Sequence, residues 1–448
     1  MIKKRKDCIQ IMQTEKYTYN GDNVYFISNT QNNIFIFYAP TFGILMNINK
    51  PLYKKMTNAL NNNLSKFPEF EVLLNEQFKQ RLPMDFDITK LKTSYFHLAL
   101  GLTENCTLGC LYCHADAGED NQMSTELLDA SIQYAIDQAS NQNLKGVNTS
   151  FAVGGEPTYN LSLLKRAVSS IKQKCKEKNL RSVISMTTNA YYNEDIANYI
   201  AKNIDNILIS LDGLAEIQNK HRPSRNKKPT FETVIKTTDI IFKEKGHLSI
   251  RSTVSNESLK QLNDFISFLF ERYGNNINLV LEPLVPLGRG ASLNETSIIQ
   301  APNLNEFEKY FWEAYIYGQK LGIRVSSSSL KRERLASGFC GAMFIPSFTV
   351  TTKGIITTCE RDKTGENYGY AHYDFNNKTF IFNQKAIDRN KNLVQLPSKC
   401  NDCICLYHCA GDCPDARNIG YNRCQLNQNL LIKELCFELL GKEVHLNE

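Results

Sequence analysis

No apolar run in the sequence approaches the roughly twenty residues that a membrane-spanning helix needs, which excludes such a helix. No apolar segment follows the basic start Met1-Ile2-Lys3-Lys4-Arg5-Lys6, so a secretory signal is not expected there and the cytoplasm is the expected compartment. Internal repeats and low-complexity tracts are missing too. Charge of one sign is scarce: 52 Lys and Arg against 46 Asp and Glu leave a net charge of +6. The basic stretches at residues 3–6, 172–178 and 220–228 therefore read as solvated surface, and neither nucleic acid nor a membrane is an expected partner. With 42% hydrophobic and 22% charged residues over 448 positions, the composition is globular and the chain long enough for two or three domains.

Cysteine is the residue in excess. Of the fourteen, eight (Cys340, Cys359, Cys400, Cys403, Cys405, Cys409, Cys413, Cys424) fall between residues 340 and 424, with Cys436 just behind. In a reducing compartment such clusters favour metal sites over disulfides.

Three parts follow one another along the chain. Residues 24–27, 34–38 and 44–48 are short β-rich runs, followed by helical stretches over 51–60 and 70–81, which together make a small module over residues 1–90. From Tyr95, apolar strands near 95–101, 147–153, 181–187, 205–211, 247–254 and 277–283 alternate with helices near 124–141, 161–178, 193–203, 230–245, 258–273 and 304–321. Ser124 is the expected N-cap of the first of these, with Glu126 in its opening turn. Six strand–helix units predict an α/β fold with a parallel sheet, open or curled into a partial barrel over residues 91–325, with the chemistry at the C-terminal ends of the strands. Beyond about residue 326 the alternation stops, which predicts loops held by metal in a third part, 326–448.

Directly after the first strand comes Cys106-Thr-Leu-Gly-Cys110-Leu-Tyr-Cys113. Three thiolates in eight residues suffice for three irons of a cubane and leave the fourth iron open, whereas four cysteines would close it. A zinc site with His114 as fourth ligand is the alternative, strained by the adjacency of His114 to Cys113. Val153-Gly154-Gly155-Glu156-Pro157-Thr158 places two glycines at a strand end, where backbone must approach a ligand closely. Ile209-Ser210-Leu211-Asp212-Gly213 and Asn219-Lys220-His221-Arg222 end another strand, and an Arg fork there is suited to a carboxylate.

These segments, with residues 281–289 after the sixth strand, resemble the signature of the radical S-adenosylmethionine superfamily. The resemblance implies a [4Fe–4S] cluster on Cys106, Cys110 and Cys113, with Tyr112, Gly154, Gly155, Glu156, Ser210 and Arg222 holding S-adenosylmethionine. The later cysteines, in the order Cys340, Gly354, Cys359, then Cys400, Cys403, Cys409, Cys413 and Cys424, closely match the SPASM extension of peptide-modifying members. By that resemblance Cys340, Cys359 and Cys413 hold a first auxiliary [4Fe–4S] cluster, and Cys400, Cys403, Cys409 and Cys424 a second, making three clusters in all. Cys405 is extra and either completes the first auxiliary set or leaves it with an open iron. Cys8, Cys175 and Cys436 fit no motif and read as ordinary thiols.

The family resemblance implies a partial (β/α)6 TIM barrel with an N-terminal winged-helix-like module and a C-terminal iron–sulfur domain. The expected activity is maturation of a ribosomally made precursor peptide by a thioether or carbon–carbon crosslink, with the peptide's leader added as a strand at a sheet edge near residues 34–38. A flavodoxin- or ferredoxin-type donor would supply electrons. A sulfatase-maturating enzyme that forms formylglycine is the alternative activity, and an iron–sulfur electron carrier the alternative without catalysis.

Overall fold

The computed structural model describes residues 12–19, 21–62, 93–293, 297–330, 335, 338–344, 347–393 and 395–444. These fall into two compact units. The described parts of Met1–Leu91, Ser329–Cys340 and Val394–Glu448 form one, and those of Lys92–Ser328 and Gly341–Leu393 the other. The segment expected to be a single C-terminal domain, 326–448, is thus divided between them.

In the first unit, β1 (Gln13–Tyr19), β2 (Asp22–Asn29), β3 (Ile34–Ala39) and β4 (Ile44–Asn47) form an antiparallel sheet in sequence order. One strand more than expected is present, because β1 is too polar to stand out as an apolar run. The docking edge expected at residues 34–38 is not an edge. These residues form β3, which pairs with β2 on one side and β4 on the other, so the outer strands of this sheet are β1 and β4. The helix Lys50–Asn61 follows, capped by the Asn49 side chain, which accepts from the Leu52 amide. Both the helix expected over 70–81 and Cys8 lie outside the described residues.

The runs in β2 and β3 are continuously apolar because both faces of the sheet are buried. Alternation sends Phe26, Phe35 and Phe37 to one face, against Met56 and Ala59 of the helix. Tyr25, Ile27, Ile36 and Tyr38 go to the other, against Ile404, Cys405, Leu431, Leu435 and Cys436. Leu431, Leu435 and Cys436 lie on a long helix, Cys424–Val444, where loops are expected from the sequence.

The second unit carries the expected alternation. Its parallel strands β5 (Tyr95–Leu100), β6 (Gly146–Phe151), β7 (Arg181–Thr188), β8 (Asn206–Ser210), β9 (Leu248–Val254) and β10 (Ile277–Pro283) lie side by side in order, with a short β11 (Arg324–Ser326) outside β10. Helices Thr125–Asn141, Leu161–Glu177 and Glu194–Asn203 start where Ser124, Asn160 and Asn193 accept a hydrogen bond from the amide three residues on. Three more, Phe231–Lys245, Leu262–Tyr273 and Leu304–Leu321, complete the set. The strand face with Val147, Phe151, Ile184, Ile209 and Ile250 is buried. Ser150, Ser185 and Ser249, on the opposite face, line a cavity of about 280 Å³.

Where loops were expected after residue 326, the sheet continues. β12 (Phe348–Val350) runs parallel to β5, and β13 (Ile355–Thr357), β14 (Gly369–Asp374) and β15 (Thr379–Phe382) follow antiparallel, completing eleven strands.

Candidate active site and the two cysteine loops

The loop after β5, residues 101–118, contains no helix or strand, so its polar groups must be satisfied by other parts of the unit. The Gly109 and Leu111 amides donate to the carbonyls of Pro223 and His221, at 2.8 and 3.0 Å. Two arginines grip its carbonyls with charge-assisted bonds. Arg225 donates to Cys106 O (2.8 Å) and Ala117 O (3.2 Å), and Arg289 to Cys110 O (3.0 Å) and Ala117 O (2.6 Å). Gly288 precedes Arg289 at φ +56°, and a Cβ there would stand 2.3 Å from the His114 carbonyl. The segment after β10 therefore braces the cysteine loop.

The paired glycines after β6 do the same. A Cβ on Gly155 would fall 1.9 Å from Asn105 O, while the Gly155 and Glu156 amides donate to Thr103 O (2.7 Å) and Asn105 O (2.8 Å). The close approach expected toward a ligand is made by the chain's own loop. Glu156 is buried, and its carboxylate accepts from Thr158 Oγ1 (2.9 Å), Thr188 Oγ1 (2.9 Å) and the amide of Asn189 (2.8 Å). Burial pushes its carboxyl up, against the pull of these bonds. Asn189 in turn donates to Cys106 Sγ (3.4 Å) and Thr107 Oγ1 (3.1 Å).

A second polar knot lies past β8. The Tyr112 hydroxyl donates to Asp212 and accepts from Arg222 at 2.8 Å. Asp212 is fully buried, accepts from the Thr253 amide (3.1 Å), and lies 3.8 Å from Arg222 and 3.6 Å from His221. Burial pushes its carboxyl up, but the Arg222 guanidinium, the nearby His221 and the hydrogen bond from Tyr112 hold it below the usual carboxylate range. Asp212 and Asn189 were not singled out in the sequence, where each is one polar residue near a strand end.

All three cysteines of this loop and the six other residues expected with them, from Tyr112 to Arg222, line one cavity of about 290 Å³. Arg251, Glu282, Glu360 and Arg361 give it a charged wall. Among the described residues no three His, Cys, Asp or Glu side chains converge on a point as a single metal ion requires. The thiols instead surround a space. Arg222 Nε is buried there without a hydrogen-bond partner among the described residues. An iron–sulfur cubane with an open iron, beside a ligand carrying a carboxylate, fits this donor set.

The second loop belongs to the other unit. Cys400, Cys403, Cys409 and Cys424 line a cavity of about 380 Å³ together with Cys405. Residues 410–412 turn through three positive φ angles (49°, 89° and 60°), a strained path for Ala410 and Asp412. The buried Arg423 holds Asp412 with both arms, at 2.5 and 3.1 Å. Asn427 donates to Cys409 Sγ at 3.1 Å. A hydrogen bond from Cys405 lowers the Cys403 thiol to about 6, toward the thiolate that binds metal. Cys405 itself is buried in the apolar layer under the sheet, as Cys436 is, and Cys175 is buried in the barrel unit. Cys340 and Cys413 belong to this first unit, Cys359 to the barrel unit.

The family model described as "Radical SAM superfamily" matches residues 100–269. A cysteine-type anaerobic sulfatase-maturating enzyme of Clostridium novyi is 23% identical over 278 residues, covering 58% of this chain and 71% of that one. A GTP 3',8-cyclase of Clostridium botulinum is 26% identical over 216 residues, 46% of this chain and 62% of that one. Among solved structures, native anSMEcpe with bound AdoMet superposes with a TM-score of 0.58 at 18% identity, over 77% of this chain and 97% of that one. Streptococcus suis SuiB bound to precursor peptide SuiA gives 0.51 at 14%, over 86% and 93%. At these identities the structural likeness is one of fold.

Proposed function

Because the chain is a radical S-adenosylmethionine enzyme, we propose that it matures a ribosomally made peptide by forming a thioether or carbon–carbon crosslink. The observation that carries the reading is the convergence of Cys106, Cys110 and Cys113 with Tyr112, Glu156, Ser210 and Arg222 on one cavity. In this proposal the three thiolates hold the first cluster, and Arg222, oriented by Tyr112 and Asp212, receives the cofactor's carboxylate. When bound, cluster and S-adenosylmethionine supply a carbon radical able to abstract hydrogen. Asn189 steadies Cys106, and the charged wall from Arg251 to Arg361 orients the peptide.

Cys400, Cys403, Cys409 and Cys424 are proposed ligands of one auxiliary cluster. Cys340, Cys359 and Cys413 are proposed for the other on the sequence pattern alone. A leader peptide that adds as a strand would use β1 or β4, and a flavodoxin- or ferredoxin-type protein would deliver electrons. SuiB was solved with a precursor peptide, and this supports the peptide class. Formylglycine formation stays the second reading, supported by the sulfatase-maturating relatives.

The test is mass spectrometry after anaerobic turnover, with a leader-bearing precursor peptide and a cysteine-containing sulfatase peptide offered in parallel. Loss of two hydrogens with a new crosslink in the first supports the proposal. Conversion of the cysteine to an aldehyde in the second, with the precursor untouched, establishes the alternative.

A further inference from the structure

The sheet β1–β4 does more than present an edge. Four of its side chains reach the second cysteine loop within the same unit. Tyr25, on β2, donates to the Cys403 carbonyl at 2.9 Å. Tyr38, its direct cross-strand partner on β3, has its hydroxyl bonded to His408 Nε2, and its ring stacks on the His408 imidazole with centroids 6.0 Å apart. Asn23 donates to the Asn401 carbonyl at 3.0 Å, and Lys16, on β1, pairs with Asp402. Beneath these bonds Ile404 and Cys405 are sealed among Ile27, Ile36, Leu431 and Leu435.

Every residue from 401 to 405, and then His408, is therefore held from the sheet side. Residues 400–409 carry three of the four sulfurs proposed for one auxiliary cluster. They include only the four-residue helix Leu406–Cys409, too short to set the spacing of those sulfurs by itself. Cys403 and Cys405 both line the cavity and both pack against the apolar cluster under the sheet. A shift of the loop on the sheet would move both.

We infer that the N-terminal sheet is the support behind the second auxiliary cluster site, contributing no lining residue itself, with Tyr25 and Tyr38 as positioning residues that hold residues 400–409 in cluster-binding shape. This rests on the reading of Cys400, Cys403, Cys409 and Cys424 as cluster ligands. The sheet thus has a duty at the cluster that is separate from peptide capture. Removing the module would strip a redox centre as well as a docking surface.

The experiment compares anaerobically reconstituted wild type with Tyr25→Phe, Tyr38→Phe and the double variant. Phe keeps the ring and its packing and removes only the hydroxyl, so the fold survives; thermal melts of the cluster-free chains verify this. Iron content and electron paramagnetic resonance with redox titration are the readouts. Wild type is expected to bind about twelve irons as three cubanes. Each single variant is expected to shift the potential and g-values of one cluster and leave the other two signals in place. The double variant is expected to lose about a third of the iron. Superimposable spectra, potentials and iron content across all four proteins overturn the inference. A wild type with only one cubane overturns instead the cluster reading beneath it.

Discussion

The two cysteine loops are fastened by opposite means. Residues 106–113 are held by polar bonds: backbone amides to the 221–223 segment, and Arg225 and Arg289 on the carbonyls. Residues 400–409 lie between two apolar surfaces, the inner face of the sheet and the helix Cys424–Val444, with tyrosine hydroxyls as local pins. A loop that must leave room for a chelating ligand is served by directional bonds from behind, which keep its cavity side free. On the proposed reading the second loop is closed by four thiolates and needs only a fixed shape, which packing and the tyrosine pins supply.

The largest effect expected from breaking the first loop is replacement of Cys106, Cys110 and Cys113 by Ala. Reductive cleavage of S-adenosylmethionine should vanish while about two thirds of the iron stays; cleavage persisting in the triple variant defeats the central assignment. Next comes Gly155→Ala. Its Cβ collides with backbone that has nowhere to move, so cleavage should fall at least tenfold, measured as 5′-deoxyadenosine formed per chain.

Leu435→Ala probes the second loop's way of holding on. Deleting a fully buried side chain should cost roughly 2–5 kcal/mol by denaturant unfolding, with the first cluster's signal unchanged. Arg289→Ala removes two charge-assisted bonds from the first loop, worth roughly 1.5–3 kcal/mol each, and should lower occupancy of the first cluster but not of the auxiliary ones.

The smallest effect is in pH dependence. Asp212 has a depressed carboxyl, so its stabilising contribution is complete above the ordinary value of about 4 and fades as pH falls through the lower folded value. Asp212→Asn should flatten that acid limb in thermal melts between about pH 5 and pH 2. An unchanged limb would mean another group carries it.

The barrel was legible because each strand and helix is long enough to show its period, and Ser124 marked a helix start in plain sequence. The three-residue strands β12 and β13 are too short for alternation to register, so the antiparallel extension read as loop. The runs in β2 and β3 announced strands. That both of their faces are buried emerged only in the fold, because the partner of the second face, far along the chain, carried no local sign. The resemblance of the cysteine order to a family pattern implied the ligands proposed for each cavity. Asn189 and Asp212 became visible only when folding set them against Cys106 and Tyr112.

Tyr25 and Cys403, bonded in the folded unit, are separated by 378 positions of sequence. During synthesis β2 and β3 leave the ribosome long before the helix Cys424–Val444, and their Tyr25, Ile27, Ile36 and Tyr38 face must wait for Leu431 and Leu435 to cover it. A growing chain thus carries an uncovered apolar sheet face until residues 404–436 are made, a natural target for chaperones and a hazard in products truncated before them. The second cysteine loop meets the sheet face as soon as it is made, and the packing behind it is complete once the helix Cys424–Val444 follows.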